Sequence, residues 1–282
     1  CCSVRARDTT TPFRARSAVV EPATQYPPAT RGCRTVLGVR VDVTSYQQAE
    51  NAVARWVEEP DGRYVCVCSV HPVMEAHDDS AYLDIVNRAD LVTADGMPLV
   101  WALRLLGAGH ATRVYGPDLT LALCDWAARN DVPVGLYGST PEVIERLTDN
   151  LIARYPRLHV DYRYSPPFRS LTPVEREDEI REIWDSGIRL LFVGLGCPKQ
   201  ERWMAERRDE LNVVMIGVGA AFDYLAGTLP RPPTWMQQIG LEWLFRLVVE
   251  PRRLWRRYLR NNPRFLFLFA RQYLRYRRAG GK

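Results

Sequence analysis

The run Arg189-Leu-Leu-Phe-Val-Gly-Leu-Gly-Cys-Pro-Lys-Gln-Glu-Arg-Trp203 joins a strand pattern to a helix pattern through two glycines. Leu190–Val193 is a short apolar stretch, typical of a strand that is buried on both faces. Gly194 and Gly196 interrupt this stretch, and Pro198 suits the first turn of a following helix. A buried strand that enters a helix through a glycine-rich turn is typical of α/β folds.

The turn itself has two interpretations. Backbone N–H groups at the amino end of a helix form an anion site, usually for phosphate, but many α/β proteins have such a turn without a ligand. The dinucleotide-binding fingerprint is not matched, because Lys199 stands where its third glycine belongs.

Outward from this run, strand-like and helical patterns alternate. The strand-like runs are Thr35–Val41, Tyr64–Cys68, Leu91–Thr93, Val134–Tyr137, His159–Tyr162, Leu190–Val193 and Val213–Val218. The helical patterns are Tyr46–Glu58, Pro98–Leu106, Leu119–Arg129, Pro141–Tyr155, Pro173–Trp184 and Pro198–Leu211. This alternation predicts an α/β fold: a Rossmann-like, largely parallel sheet with helices on both faces.

Ligands of such sheets bind at the carboxyl ends of the strands. Five segments follow predicted strands and are expected to share that edge: Ser69–His71, Asp95-Gly96, Gly138–Thr140, Gly194–Gln200 and Gly217–Asp223. Within them we expect Gly138, Ser139, Gly194, Gly196 and Lys199 to bind substrate.

We divide the chain into three parts. Residues 1–33, rich in Arg, Thr, Pro and Ala, are expected to be a disordered leader, residues 34–245 the α/β domain, and residues 246–282 a basic amphipathic appendage. The seven cysteines lack metal-site spacing, which predicts a reducing compartment without a disulfide framework; Cys66 and Cys68 are expected in the core. The residues give no sign of a secretory signal or a transmembrane helix.

Charge is unevenly distributed. The formal net charge is +5, yet the stretch from Pro251 onward holds eleven basic residues and no acidic one. This favours a polyanionic partner. Aromatic and aliphatic residues between the arginines favour an anionic membrane surface over nucleic acid, and a basic helix packed on the body is the alternative. A break at Asn261-Asn262-Pro263 should divide this stretch into two helices.

Three charged residues near the predicted edge are candidates for chemistry. Asp95 is a candidate general base or the cap of the next helix. Arg113 could bind a phosphate or carboxylate, or form a surface ion pair. Asp223 could accept hydrogen bonds from a nucleotide or cap a turn. No Asp-x-Asp triplet or metal-spaced His pair occurs, so we expect no metal and no cofactor.

Several longer runs together resemble the WecG/TagA/CpsF family of bacterial glycosyltransferases. They are Ala89-Asp-Leu-Val-Thr-Ala-Asp-Gly96, Arg113-Val-Tyr-Gly-Pro-Asp-Leu119, Val193-Gly-Leu-Gly-Cys-Pro-Lys-Gln-Glu201, Gly217-Val-Gly-Ala-Ala-Phe-Asp223 and Gly240-Leu-Glu-Trp-Leu-Phe-Arg-Leu247. The resemblance implies inverting, metal-independent transfer of a sugar, commonly of N-acetylmannosamine type, from UDP to an undecaprenyl-diphosphate-linked sugar.

The resemblance also implies residue roles. Asp95 matches the catalytic base, Arg113 and Gln200 match active-site positions, and Asp223 matches a nucleotide-side position. The arginines that would close over the diphosphate are Arg246, Arg253 and Arg256. Residues Arg264 to Arg278, beyond the expected break, would then serve the membrane.

One departure from the family pattern lies after the second strand. The family often has Thr-x-Asn where this chain has Ser69-Val-His71. Ser69 keeps the hydroxyl and is expected to act in catalysis, whereas His71 changes the hydrogen bonding and the possible charge. We therefore expect the donor or acceptor sugar to be either of the family's N-acetylmannosamine type or different from it, with a glucose-type hexose as the alternative.

The implied partners are a UDP-sugar donor, a polyprenyl-diphosphate-linked acceptor and an anionic membrane surface. The expected location is cytoplasmic, peripheral on the inner face of the cell membrane. A nucleotide-cofactor oxidoreductase and a nucleic-acid-binding protein are the alternatives. The sequence leaves open whether the chain forms a homo-oligomer.

Overall fold

A computed structural model describes residues 32–59 and 61–280 of the chain. The central sheet has six parallel strands: β3 (Arg63–Cys68), β4 (Leu91–Ala94), β5 (Val134–Gly138), β6 (Val160–Tyr164), β7 (Leu190–Gly194) and β8 (Val214–Gly217). Their order across the sheet is β4-β3-β8-β7-β5-β6. The predicted leader, residues 1–33, lies almost wholly outside the described residues.

Twelve helices are found in the described part of the chain. They are α1 (Tyr46–Val57), α2 (Val70–Asp78), α3 (Ser80–Asn87), α4 (Met97–Leu105), α5 (Gly116–Arg129), α6 (Pro141–Arg154), α7 (Pro173–Asp185), α8 (Lys199–Arg207), α9 (Ala221–Ala226), α10 (Thr234–Gln238), α11 (Glu242–Val249) and α12 (Pro251–Arg278). Strands and helices alternate as expected, and the predicted parallel α/β fold is confirmed.

Two buried clusters cover the two faces of the sheet. One contains Tyr64, Tyr82 and Phe265, and the other contains Leu136 and Phe192. Cys66 and Cys68 are fully buried in the first cluster, which confirms their predicted place in the core.

The predicted strand Thr35–Val41 is instead a hairpin of β1 (Cys33–Val36) and β2 (Val39–Asp42). Leu37 and Gly38 both have positive φ, 51° and 96°. A two-residue turn of this kind reverses the chain within a run that reads as one apolar strand.

The carboxyl-terminal helices differ most from the expectation. Two short helices, α10 and α11, precede α12, and the chain turns between them at Gly240, which has a φ of 73°. The expected break at Asn261-Asn262-Pro263 is wrong: α12 runs through it with Pro263 inside. Proline costs a helix one hydrogen bond, but the buried Phe265 and Phe269 after it hold the helix against the core.

Polar contacts attach α12 to the body along its length. The Gln272 side-chain oxygen accepts a hydrogen bond from the Leu37 N–H (2.9 Å), and its amide donates to the Thr35 carbonyl oxygen (2.6 Å). Arg264 forms a two-bond ion pair with Asp78 on α2, at 2.7 and 2.8 Å. The expected domain boundary at residues 245 and 246 falls inside α11, so it separates no element from another.

We find no helix within residues 32–59 and 61–280 with the length and apolar character needed to cross a membrane.

Candidate active site

A cavity of about 800 Å³ lies at the carboxyl edge of the adjacent strands β4, β3, β8 and β7. The turns after these strands form one side of it, and α10, α11 and α12 form the other. Its polar and charged lining comprises Ser69, His71, Asp95, Arg113, Gln200, Asp223, Gln237, Glu242, Arg246, Arg253, Arg257, Asn261 and Asn262. The fold thus gathers most of the residues predicted from the sequence into one site.

Asp95 directly follows β4, and hydrogen bonds fix both its backbone and its side chain. Its N–H donates to the carbonyl oxygen of Cys68 at the end of β3 (2.8 Å). Its Oδ1 accepts from the N–H of Gly116, the first residue of α5 (3.1 Å). The helix that follows Asp95, α4, has Gly96 as its N-cap without a side-chain cap. Asp95 therefore bonds the amino end of α5, and the alternative role as a cap of the next helix is wrong.

The acid–base character of Asp95 is shifted by its surroundings. Burial raises its pKa to about 7, and the negative charge of Glu242 adds to the rise. Arg113, the Gly116 N–H and Arg246 oppose it. This value lies well above the ordinary aspartate pKa near 4. A carboxyl group with a pKa near the working pH is well suited to accept a proton during a reaction.

Arg113 lies in the wall of the cavity next to Asp95. Its Nη2 donates to Oε2 of Glu242 and lies 3.9 Å from Oδ1 of Asp95. Its Nε donates to the carbonyl oxygen of Asp95, and its guanidinium stands 4.0 Å from the ring centroid of Tyr115. Arg113 thus forms ion pairs, as the alternative had it, but with 15% of its side chain exposed they lie in the cavity wall and not on the open surface. Arg113 presents a fixed positive charge between two carboxylates.

The glycine turn after β7 lines the cavity, but one of its N–H groups is already used. The Gly196 N–H donates to the side-chain oxygen of Gln200 (3.1 Å), whose amide in turn donates to Glu201 (2.8 Å). A Cβ at Gly194 would lie 2.5 Å from the ring of Phe222. Gln200 is buried and holds the turn in place through this hydrogen bond. The turn therefore has fewer free N–H groups for an anion than its sequence suggests.

Ser69 and His71 lie at the start of α2, a helix absent from the sequence-based expectation. Ser69 is the N-cap, and its hydroxyl makes no capping hydrogen bond. His71 Nδ1 lies 3.1 Å from the amide nitrogen of Asn261 on α12 and 3.4 Å from Glu75. Burial and the charges of two nearby arginines lower the pKa of His71 to about 4. The imidazole is therefore neutral at pH 7, and Nδ1 can accept a hydrogen bond from Asn261.

Arginines of α11 and α12 form the basic flank of the cavity. Arg246 is largely buried 5.8 Å from the Tyr224 ring centroid, and its Nε has no hydrogen-bond partner. Arg253 is exposed and pairs with Glu250 (2.8 Å). These two line the cavity as expected.

The third arginine of this flank is Arg257. Arg256, which the resemblance assigns to the diphosphate, lies over the Trp255 ring, 5.2 Å from its centroid, outside the cavity lining. Arg257 lines the cavity in its place. One helical turn separates Arg253 from Arg257, which puts both on one face of α12.

Asp223 lies on α9 opposite this basic flank. Burial raises its pKa, whereas the charge of Arg253 lowers it. The Thr228 hydroxyl donates to the Asp223 carbonyl oxygen (3.1 Å). The carboxylate lines the cavity and can accept hydrogen bonds from a bound molecule.

Besides Arg256, three expected substrate-binding residues lie outside the cavity lining. Gly138 and Ser139 follow β5, beyond β7 in the sheet, where a Cβ at Gly138 would lie 2.7 Å from the backbone of Gly194. Lys199 begins α8 and is exposed.

The sequence-based expectation missed Glu242, Tyr115, Asn261 and Arg257. Glu242 and Tyr115 stood inside the runs that carry the resemblance. The contact of Glu242 with Arg113 joins segments 129 residues apart, whereas Tyr115 stands two residues from Arg113. Arg257 had a signal in its helical spacing from Arg253. Asn261 was assigned to a break, which concealed its contact with His71.

No group of three or more His, Cys, Asp or Glu side chains arranged to hold a metal ion occurs among residues 32–59 and 61–280.

Comparison with known proteins assigns this arrangement to a family. The profile of the Glycosyl transferase WecG/TagA/CpsF family matches residues 34–279. The chain is 28% identical over 239 residues to N-acetylglucosaminyldiphosphoundecaprenol N-acetyl-beta-D-mannosaminyltransferase of Staphylococcus aureus strain NCTC 8325 / PS 47, covering 84% of this chain and 91% of that protein. The protein of the same name from strain COL shows the same identity and coverage. This chain belongs to the WecG/TagA/CpsF family and is a glycosyltransferase.

Proposed function

We propose that this enzyme transfers a hexose or N-acetylhexosamine, of N-acetylmannosamine or glucose type, from UDP to a polyprenyl-diphosphate-linked sugar. The observation that carries the proposal is one cavity that holds Asp95, with its raised pKa, on one side and the arginines of α11 and α12 on the other. The names of the Staphylococcus aureus relatives support an acceptor sugar on undecaprenyl diphosphate. Cell-surface polysaccharide synthesis is the process that consumes such a product.

The chemical step is a displacement at the anomeric carbon of the donor sugar. A hydroxyl oxygen of the acceptor sugar attacks that carbon from the face opposite UDP, and Asp95 takes the hydroxyl proton. The bond between the anomeric carbon and the UDP oxygen breaks, and UDP leaves with the electron pair. Attack from the opposite face inverts the anomeric configuration.

Arg113 keeps Asp95 effective in this step. Its guanidinium, near the Asp95 carboxylate, stabilises the ionised form that accepts the proton. Burial keeps the Asp95 pKa above its ordinary value, and the negative charge of Glu242 adds to that rise. Together these surroundings give Asp95 a pKa at which it can both accept and release a proton near neutral pH.

We propose that the negative charge that develops on UDP is stabilised by Arg246, Arg253 and Arg257. The remaining N–H groups of the Gly194–Gly196 turn contribute to the same stabilisation. Fixed donors aimed at a developing charge are worth roughly 3–4 kcal/mol each in comparable sites. With three arginines on the cavity wall, the proposed reaction needs no metal ion.

Activity should therefore survive excess EDTA. Loss of activity with EDTA that Mg²⁺ or Mn²⁺ restores would contradict the metal-independent mechanism.

The outer face of α12 supports a peripheral position on an anionic membrane. Trp255, Leu259, Leu266 and Leu274 recur along one exposed stripe, with exposed Arg271, Arg275, Arg277 and Arg278 beside it. Apolar side chains in the headgroup region and arginines near anionic lipid both favour such binding. In the proposed arrangement the acceptor lipid stays in the bilayer while its sugar diphosphate enters the cavity.

A donor screen tests the proposed reaction. Purified enzyme is mixed with one UDP-sugar at a time and an N-acetylglucosaminyl-diphosphate lipid, and products are analysed by mass spectrometry. We expect one sugar to be added with release of one UDP, and the anomeric coupling in the NMR spectrum to be opposite to that of the donor. Transfer from no UDP-sugar, or retention of configuration, would contradict the proposal.

A further inference from the structure

The cavity has an apolar wall that the sugar-transfer chemistry leaves unused. Met97, Trp101 and Leu105 of α4 face this space with Ile239 of the α10–α11 turn and Leu266 and Phe269 of α12. Four of these side chains are strongly exposed for their size: Trp101 at 42%, Leu105 at 48%, Ile239 at 51% and Leu266 at 65%. Exposed large apolar side chains that converge on one opening indicate a ligand or a partner.

The wall is held in shape by a close contact between two of its elements. Gly240, in the α10–α11 turn, has a positive φ of 73°, and a Cβ there would lie 2.7 Å from the Trp101 ring. Trp101 therefore packs directly on the glycine backbone and bridges α4 to the α10–α11 turn. Its remaining surface faces the cavity rather than the core.

The cavity combines charged and apolar surfaces. Asp95 and Arg113 lie at the strand edge, Arg246, Arg253 and Arg257 lie on the flank formed by α11 and α12, and the apolar wall is formed by α4, the α10–α11 turn and α12. Of the two proposed substrates, the acceptor carries a hydrocarbon chain beyond its sugar diphosphate, whereas a nucleotide sugar has no hydrocarbon to cover the wall.

We propose that the wall of Met97, Trp101, Leu105, Ile239, Leu266 and Phe269 is a binding subsite for the first isoprene units of the acceptor lipid. The subsite extends the proposed function and rests on it. It continues onto the exposed stripe of α12, since Leu266 belongs to both. The chain can thus leave the cavity toward the surface that we assign to the membrane.

Acceptors of different chain length test the subsite without a membrane. One acceptor carries an ethyl group on the N-acetylglucosaminyl diphosphate, and the other a farnesyl group, each below its micelle concentration and without detergent. We expect the KM of the farnesyl acceptor to be at least about tenfold lower, because two or more isoprene units leave water in the cavity.

The double variant Leu105→Ser with Leu266→Ser should raise the farnesyl KM about tenfold and leave the ethyl KM unchanged. Trp101→Ala should likewise raise the KM of the farnesyl acceptor and leave that of the ethyl acceptor unchanged. The matched control is Ile152→Ser on α6, similarly exposed at 42% and outside the cavity lining. It should leave both KM values unchanged. Circular dichroism and Tm check that each variant is folded.

The possible failures are distinct. Transfer to neither acceptor by the wild-type enzyme would overturn the proposed function and the subsite with it. Transfer with equal KM for both acceptors, or a variant that raises both KM values equally, would overturn the subsite alone. An effect of the variants seen only when liposomes are present would assign these side chains to the bilayer instead and would likewise overturn the subsite.

Discussion

The carboxylate of Asp95 lies next to a cation, Arg113, which also pairs with a second carboxylate, Glu242. Burial and Glu242 raise its pKa, while Arg113 and the Gly116 N–H lower it, so that it ionises near neutral pH. This balance joins three distant segments of the chain. The raised pKa of Asp95 could not be predicted from the sequence. The residues next to Asp95 in the chain do not show whether Glu242 lies near it in the fold.

The activity should therefore depend on pH through Asp95. Since the base must be ionised, kcat/KM should rise as pH increases through about 7. Glu242→Gln removes a negative charge that raises the Asp95 pKa, so the midpoint of the rise should move to lower pH. Rate profiles between pH 5 and 9 measure this. An unchanged or higher midpoint in Glu242→Gln would contradict the assigned balance.

The same group should make stability depend on pH. The folded pKa of Asp95, about 7, lies above its unfolded value near 4. Between these values the folded chain holds a proton that the unfolded chain releases, so this contribution to stability is present at low pH and is lost as pH rises. Asp95→Asn does not titrate, and its Tm relative to wild type should therefore increase from pH 4 to pH 8. A relative Tm that stays constant or falls would contradict the raised pKa.

Among the elements, α12 has the largest effect on the site. Its Arg253, Arg257 and Asn261 line the polar part of the cavity, and Phe265 and Phe269 continue the lining beyond Pro263. The sequence predicted two helices with separable tasks. In the structure one continuous helix carries both sets of residues.

Cutting the chain after Asn262 should therefore abolish transfer even to a short, water-soluble acceptor. The cut removes Phe265 and Phe269 from both the core and the cavity, and it removes the Arg264 ion pair to Asp78. Large buried aromatic residues are worth about 3–5 kcal/mol each, so Tm should also fall. A control that ends after Tyr276 keeps the Gln272 contacts with the hairpin and should retain activity on that acceptor. Full activity of the shorter chain would restore the two-helix interpretation.

The order of elements was predictable because buried strands and amphipathic helices carry their own periodicity. The sequence located the edges of β3, β4, β7 and β8, and with them Asp95 and the glycine turn. Local exceptions were not predictable. The positive φ of Leu37 divides one apolar run into a hairpin, and core packing of Phe265 carries a helix through Pro263.

In the whole molecule, α12 stands out because it combines basic residues, without any acidic one, with several exposed apolar side chains. The family assignment favours a glycosyltransferase over the oxidoreductase and nucleic-acid alternatives. The proposed acceptor is a membrane lipid. Binding at a membrane would explain why the carboxyl-terminal surface combines arginines with Trp255, Leu259 and Leu274.

Binding to anionic liposomes should depend on the arginines at the end of α12. The variant with glutamine at Arg271, Arg275, Arg277 and Arg278 should lose most of its binding, since each basic residue near such a surface contributes about 1 kcal/mol. Added salt should weaken the wild type in the same direction. The control replaces four exposed arginines elsewhere: Arg146, Arg154, Arg163 and Arg181. Cosedimentation measures both, and equal loss in the two variants would indicate a general charge effect.

The most direct measurement is the single-turnover rate of sugar transfer by Asp95→Asn, compared with wild type at pH 8 and with donor binding measured by calorimetry. Asparagine keeps the shape of the side chain but cannot take the proton. We predict unchanged donor affinity and a rate lower by about 10²–10⁴-fold. A near-normal rate with normal donor binding would show that Asp95 is not the base.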